Sequence, residues 1–310
     1  MKAGVVGLGL IGGSVLRGLG DAVGFDADPE VRSAAAAEGF AVVNDLVGLS
    51  DREIVIVAVP PSLTRAVSAA VLDVAPEAVV ADTASVKGVV LGGSPDGDRF
   101  VGAHPLAGAE TVGWAASSPD VITGAVWAAC PAGPALEPVC RLSSVVDRLG
   151  GRMVACTAEE HDAAVARTSH VPHVTALALA RLVAGEPLRA ALSGPGFRDG
   201  TRVARADPVL WADILFQNRA EVLAGLDALD GALADCRAAL AAGDDGALVE
   251  AWSAATETLA GVDAARWTEP AWRDERVEGG WAGLLALGRE GRAVRRLRTA
   301  AGALHAEVAR

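Results

Sequence analysis

The chain has 310 residues, enough for two domains that each bury their own core. Its formal net charge of −12 has the wrong sign for a protein that binds nucleic acid or an anionic membrane surface. Hydrophobic residues make up 51% of the chain, but many are alanines, and no uninterrupted apolar run approaches the ~20 residues that a membrane-spanning helix needs.

The amino terminus and the cysteines indicate the compartment. Residues 1–6 enter a strand pattern at once, which leaves no room for a signal peptide. The four cysteines are widely spaced without a C-x-x-C pair, so they predict neither a structural zinc site nor a disulfide framework. We therefore expect a cytoplasmic protein without a bound metal.

The first half of the chain alternates short β-branched runs with alanine-rich helical stretches. This alternation is typical of an α/β Rossmann fold, a doubly wound and mostly parallel sheet. Helices are predicted over stretches such as 29–38 and 61–74. Strands are predicted over 3–6, 22–25, 41–43, 54–59, 78–81, 100–103, 125–130 and 153–156.

The second half is predicted to be all-α. Thr157 and Glu160 have the spacing of a capping box, which marks the start of a helix. The division predicted is a Rossmann domain over 1–154 and a helical substrate-binding and dimerisation domain over 155–310. Its long helices carry more apolar surface than one small bundle can hide, which indicates a homodimer. Helices are predicted over 159–184, 208–241, 245–265 and 281–309, with a loop over 267–280.

A glycine-rich turn with the pattern G-x-G-x-x-G follows the first strand. Gly7 permits a tight turn, Gly9 lets the backbone approach a pyrophosphate, and Gly12 allows close packing of helix on strand. Asp26, at the end of the second strand, is suited to bind the ribose hydroxyls of NAD and to repel the 2′-phosphate of NADP. The alternative is a glycine turn in an unrelated α/β protein. The predicted cofactor set is Gly7, Leu8, Gly9, Leu10, Ile11, Gly12, Asp26, Val59 and Pro60.

Two later segments carry candidate reactive groups. They are D-T-A-S-V-K-G over 82–88 and G-A-H-P-L-A-G-A-E over 102–110, near the carboxyl ends of strands where open α/β sheets bind ligands. A neutral histidine at His104 suits the base that takes a hydroxyl proton as hydride leaves the same carbon. A structural histidine, and a helix cap at Ser85, are the alternatives.

The second half adds histidines and arginines. His170 and His173 lie three apart and share a helix face, whereas His161, nine residues before His170, is predicted to point away from the site. The glycine-rich turn at 194–202 exposes Arg198 and Arg202, and a guanidinium is a natural clamp for a substrate carboxylate. Surface ion pairs are the alternative for either arginine.

Together these segments resemble the prephenate/arogenate dehydrogenase family of tyrosine biosynthesis. The resemblance covers most of the chain and rests on the glycine turn, D-x-x-S-V-K-G, G-x-H-P-x-A-G-x-E, S-H-x-P-H, and G-F-x-D-x-T-R followed by D-P-x-x-W. It implies that His104 is the catalytic histidine bonded to the substrate's hydroxyl, and that Ser85 orients this bond. It further implies that Arg202 holds a substrate carboxylate, with His173 and Glu110 lining the pocket.

The resemblance leaves several alternatives open. Ala109 stands where some relatives have threonine, so one substrate contact is expected to be missing or replaced. No chorismate-mutase segment is expected before the Rossmann domain, and no ACT domain is expected in the helical tail. The resemblance implies prephenate as the expected substrate, with arogenate or a 4-amino analogue as the alternative. A β-hydroxyacid dehydrogenase is disfavoured because the only lysines are Lys2 and Lys87, and a non-catalytic NAD-binding dimeric protein is the other rival.

Overall fold

A ten-stranded sheet organises the fold of the computed structural model, which describes residues 1–93, 96–109, 111–266 and 268–309. The strands are β1 (Ala3–Val6), β2 (Val23–Phe25), β3 (Ile54–Val57), β4 (Val79–Asp82), β5 (Phe100–Pro105), β6 (Val126–Pro131), β7 (Arg152–Ala155), β8 (Trp272–Val277), β9 (Val294–Ala300) and β10 (Ala303–Ala309). Their order across the sheet is β2-β1-β3-β4-β5-β6-β7-β9-β10-β8.

Helices connect these strands and make up most of the segment between β7 and β8. They are α1 (Leu10–Leu19), α2 (Pro29–Ala37), α3 (Pro61–Val74), α4 (Gly88–Leu91), α5 (Pro119–Ile122), α6 (Glu137–Arg148), α7 (Ala158–Val165), α8 (Val171–Arg181), α9 (Pro187–Ala191), α10 (Pro195–Thr201), α11 (Pro208–Gln217), α12 (Arg219–Ala242), α13 (Asp245–Arg266) and α14 (Trp281–Arg289).

The amino-terminal half has the predicted doubly wound architecture. Strands β2, β1, β3, β4 and β5 are parallel neighbours, and β6 then runs antiparallel to β5. The sheet is therefore mostly parallel, as the alternation of strands and helices predicts. The predicted strand over 41–43 is wrong, because only an isolated bridge between Gly24 and Val42 forms there. That segment lies at the open edge beside β2, where few pairing partners are available.

The helical half begins as predicted and is then interrupted twice. The capping box is confirmed: Thr157 accepts a bond from the Glu160 amide, and the Glu160 carboxylate accepts one from the Thr157 amide. The predicted single helix over 159–184 contains a π-helical turn at Ala166–His170, between α7 and α8. The predicted helix over 208–241 breaks at Asn218.

The prediction of an all-helical tail is wrong. After α14 the chain forms the hairpin β9–β10, and β8 lies within the predicted loop over 267–280. Ala301 and Gly302 both have positive φ, which matches the tight turn of a two-residue hairpin. Along β10, Leu304, Ala306 and Val308 alternate toward the core, a period-two pattern that the abundance of alanine and arginine obscures.

These last strands join the sheet of the first half. β9 pairs antiparallel with β7, and Val294 and Leu304 belong to the same buried core as Val5 and Ile56. A Cβ on Gly288 would lie 1.8 Å from the Ala155 carbonyl oxygen, which shows how closely α14 packs on β7. The division of the chain into domains at 154/155 stays a prediction. Strands β8, β9 and β10, within 272–309, belong to the same sheet as the strands of the first half.

The helices α12 and α13 have little cover within one copy of the chain. α12 buries only Val222 and Gly225, and α13 buries none of its described residues. Exposed apolar side chains on these two helices include Leu223, Leu233, Leu240, Val249, Trp252, Leu259 and Val262. Over the described ranges, no helix combines the length and the apolar character that a membrane crossing requires.

Candidate active site

The glycine turn between β1 and α1 has the geometry of a dinucleotide site. Gly7 has φ of +86°, and a Cβ there would lie 2.4 Å from the Ala58 carbonyl oxygen. A Cβ on Gly12 would lie 1.8 Å from the Gly7 carbonyl oxygen, so the helix can approach the turn only without one. Nothing lies within 4 Å of a Cβ built on Gly9, which leaves space for a pyrophosphate next to the start of the helix.

Asp26 is held at the edge of this turn. Its carboxylate accepts a bond of 2.7 Å from the Leu8 amide and one of 2.9 Å from the Asp28 amide. The Leu8 side chain is fully buried, so only its backbone faces the turn. The carboxylate at the end of β2 therefore lies beside the glycine turn, where a dinucleotide presents its adenosine ribose.

A cavity of about 1120 Å³ opens beside the turn and brings most of the predicted residues together. Glu110 lies outside the described residues. Gly7, Leu8 and Gly12, in the turn and the start of α1, and Asp26 beside the turn do not line the cavity. The predicted residues that line it are Gly9, Leu10, Ile11, Val59, Pro60, Ser85, His104, His173 and Arg202.

His104 lies on β5 and faces this cavity. Burial, reinforced by the nearby His161, Lys87 and His170, holds the pKa of His104 well below its ordinary value of 6.5. The imidazole is therefore neutral at physiological pH and able to accept a proton. Its Nδ1 lies 2.9 Å from Nε2 of His161.

The prediction that His161 points away from the site is wrong. His161 is 3% exposed and contacts His104 directly. A regular α-helix over the nine residues from His161 to His170 would place the two rings on opposite faces, but the π-helical turn between them changes the rotation per residue. A usable signal was present in Asp162, next to His161 in the chain, because a carboxylate that becomes buried needs hydrogen-bond donors and a histidine beside it can supply one.

Asp82 and Lys87, both within the segment 82–88, form a buried ion pair. Both side chains are fully buried; the Lys87 ammonium contacts the Asp82 carboxylate and donates to the Ala103 carbonyl at 2.7 Å. Asp82 also accepts a bond of 2.9 Å from the Ala103 amide and one of 2.9 Å from the Ala84 amide. The pair thus fastens the segment that carries Ser85 to the strand that carries His104.

The two histidines of S-H-x-P-H have different surroundings. His173 lines the cavity, its ring stacks on Trp211 at 3.4 Å between centroids, and its Nδ1 lies 2.8 Å from the Ser169 carbonyl. His170 is 1% exposed and contacts Asn218 Nδ2 at 3.1 Å, so it is packed between helices and does not line the cavity. Among the described residues, no group of three or more His, Cys, Asp or Glu side chains is placed to hold a metal ion.

Arginines contribute positive charge to the cavity wall. Arg202 lines the cavity, whereas Arg198 points to solvent and pairs with Asp199 at 3.5 Å. Arg152 at the start of β7 and Arg266 at the end of α13 also line it, and sequence reasoning did not identify either. No sequence signal marks them, because they come from elements 114 residues apart that meet only in the folded chain.

Comparisons with known proteins agree with this architecture. The family model of the prephenate dehydrogenase nucleotide-binding domain matches residues 15–155, and that of the prephenate dehydrogenase dimerization domain matches residues 157–253. The chain is 31% identical to the cyclohexadienyl dehydrogenase of Zymomonas mobilis over 79% of this chain and 90% of that protein. It is 29% identical to the prephenate dehydrogenase of Bacillus subtilis over 72% of this chain, and it spans 66% of that relative's length.

Solved structures give the same grouping. The arogenate dehydrogenase of Synechocystis superposes with a TM-score of 0.71 at 27% identity, covering 83% of this chain and 98% of that one. The prephenate dehydrogenase of A. aeolicus, in complex with hydroxyphenyl propionate and NAD⁺, superposes with a TM-score of 0.74 at 25% identity. This match covers 85% of the present chain and 99% of the A. aeolicus chain.

Proposed function

Because the chain belongs to the prephenate dehydrogenase family of NAD-dependent oxidoreductases, we propose that it oxidises and decarboxylates prephenate to 4-hydroxyphenylpyruvate. One observation carries the proposal. His104, neutral and facing inward, shares a cavity with the dinucleotide turn at Gly9 and with Arg202. A base, a hydride acceptor site and a carboxylate clamp are the three elements that this reaction needs.

In the proposed reaction His104 acts as the catalytic base. Bound NAD supplies the hydride acceptor, held by the glycine turn and Asp26. Nε2 of His104 takes the hydroxyl proton as hydride leaves the same ring carbon. The bond to the ring carboxylate then breaks, CO2 leaves, and its electron pair makes the ring aromatic. The proton held on His104 returns to the phenolate oxygen, so that no net proton is released.

Other residues bind and orient the substrate in this proposal. Arg202 holds a carboxylate, and Ser85, which also lines the cavity, orients the bond between the hydroxyl and His104. His173 donates from Nδ1 to the Ser169 carbonyl, which leaves Nε2 as an acceptor toward the cavity. Glu110 is proposed as a further polar contact on the strength of the sequence motif alone.

We also propose that the chain acts as a homodimer through α12 and α13. The exposed apolar face of these helices lies in and directly after the segment that matches the dimerization domain. A face of this kind needs cover in a water-soluble assembly. Sedimentation of the purified protein at several concentrations tests this proposal, and a monomer at micromolar concentration would contradict it.

The activity is tested by following NADH absorbance with prephenate and with arogenate, each with NAD and with NADP. We expect turnover with prephenate and NAD. A higher kcat/KM with arogenate would instead assign the alternative activity, for which the 31% identity to a cyclohexadienyl dehydrogenase is the supporting observation. His104→Asn should lower kcat by about 10²- to 10⁴-fold while NAD binding stays unchanged. Full activity of this variant would remove His104 from its proposed role.

A further inference from the structure

A chain of hydrogen bonds leads from His104 away from the cavity into the protein. Nδ1 of His104 lies 2.9 Å from Nε2 of His161, and Nδ1 of His161 lies 2.7 Å from Oδ1 of Asp162. His161 is 3% exposed and Asp162 is 7% exposed, so water does not compete for these bonds. His161 and Asp162 do not line the cavity and cannot touch a substrate bound there.

Asp162 is an ionised end point for this chain of bonds. Besides His161, it accepts bonds from the Lys87 amide at 2.7 Å and the Gly88 amide at 2.8 Å. Burial alone would raise the pKa of Asp162, but the bonds from His161, Gly88 and Lys87 hold that pKa below its ordinary value of 3.8. Since a carboxylate can only accept, every group that faces Asp162 must donate to it.

The direction of each bond then follows. His161 must carry its proton on Nδ1 to donate to Asp162. Burial lowers the pKa of His161, so its other ring nitrogen, Nε2, is an acceptor at neutral pH. Because Nε2 of His161 can only accept, Nδ1 of His104 must carry the proton of the bond between them. The remaining nitrogen of His104, Nε2, is therefore without a proton, which is the state that a base needs before it takes one.

We propose that His161 and Asp162 are positioning residues that hold His104 in the tautomer able to accept the substrate's proton. The proposal rests on the proposed function for its consequence in catalysis. When His104 gains a proton on Nε2, its Nδ1–H bond to His161 becomes charge-assisted and strengthens as the reaction proceeds. An interaction that strengthens toward the transition state raises kcat more than it changes KM.

Variants of His161 separate this role from a merely structural one. His161→Phe removes the acceptor for His104, and we expect kcat to fall by about 10²-fold while the KM for substrate and for NAD stays within about twofold. His161→Gln keeps an oxygen toward His104 and an amide N–H toward Asp162, and it should restore kcat to within about tenfold of the wild type. His305→Gln, on strand β10 away from the cavity, is the matched control and should not change either constant.

A spectroscopic measurement tests the tautomer without any turnover. The chain has five histidines, so protein labelled with ¹⁵N only at histidine gives five imidazoles, which single variants assign. Two-bond ¹⁵N–¹H correlation spectra at neutral pH should show His104 and His161 with protons on Nδ1 and none on Nε2. In His161→Phe, the His104 signals should change to a mixture of tautomers.

The outcomes separate this proposal from the proposed function. A wild-type His104 with its proton on Nε2, or a His161→Phe variant with wild-type kcat, would overturn the positioning role. Equal losses in His161→Phe and His161→Gln would also overturn it, since the bond accepted from His104 would not be what matters. Absence of turnover with both prephenate and arogenate in the wild type would sink the proposed function, while the spectra would still decide the tautomer.

Discussion

Acid should destabilise the fold through His170 by a predictable amount. This ring is 1% exposed, and its Nδ1 lies 3.1 Å from the Asn218 side-chain nitrogen, which also donates to the Asp162 carbonyl at 2.9 Å. Nδ1 of His170 is therefore an acceptor, and a proton there would face a donor. Burial, the main cause, lowers the pKa of His170 to about 4 from 6.5.

The sign and size follow from proton linkage. Below about pH 6.5, His170 binds a proton in the unfolded chain, whereas in the folded chain it binds one only near pH 4. Acid therefore favours unfolding between these two pH values. Each unit of pKa difference corresponds to about 1.4 kcal/mol. Between about pH 7 and about pH 5, His170 alone should lower the free energy of unfolding by about 2 kcal/mol.

Urea unfolding monitored by tryptophan fluorescence measures this effect at one fixed protomer concentration. His170→Asn keeps an acceptor for Asn218 but cannot titrate. The free energy that the wild type loses between about pH 7 and about pH 5 should exceed the loss in this variant by about 2 kcal/mol. His305→Asn, on strand β10 and outside this cluster, serves as the control for replacing a histidine. Equal losses in the wild type and in His170→Asn would refute the argument.

Three further predictions concern the ion pair, the glycine turn and the carboxylate clamp. Lys87→Met should lower the free energy of unfolding, measured with urea, by about 3–5 kcal/mol, because it leaves Asp82 buried without its cation. Adding Asp82→Asn should recover part of this loss. A loss under about 1 kcal/mol in Lys87→Met would contradict the ion pair's role. Gly12→Ala should abolish NAD binding, measured by quenching of tryptophan fluorescence, because its Cβ would lie 1.8 Å from the Gly7 oxygen; normal affinity would show that the turn is free to open. Arg202→Gln should raise the KM for prephenate by about tenfold or more with kcat little changed, and an unaltered KM would place the carboxylate elsewhere.

Short-range patterns carried the sequence predictions that the structure confirms. The glycine turn, the alternation of strands and helices, and the capping box at Thr157 and Glu160 each depend on neighbours within a few residues. Local sterics and local hydrogen bonds decide such features, and a single sequence shows them directly. The prediction of a single helix over 281–309 is wrong for the same reason, because the alanine and leucine content of this segment favours a helix locally.

Context from the rest of the fold reversed that local preference. The backbone N–H and C=O groups at the edge of β7 pair with β9. Burial of β10 side chains against the core of the first half then favours a strand over a helix for β10. A helix over these residues could not have paired with the sheet edge. The orientation of the His161 side chain was not predicted either, because it depends on a π-helical turn that no local sequence pattern indicates.

The sequence by itself determined the glycine turn, the doubly wound architecture and several of the segments that line the cavity. Only the tertiary structure decided that Asp82 and Lys87 neutralise each other, and that Asp162 and His161 stand behind His104. The physical reason is range: a turn or a cap is set by atoms a few residues apart, whereas a buried charge is tolerated only if distant segments bring it a partner. Asp162 and the Lys87 amide are 75 residues apart along the chain and 2.7 Å apart in the fold.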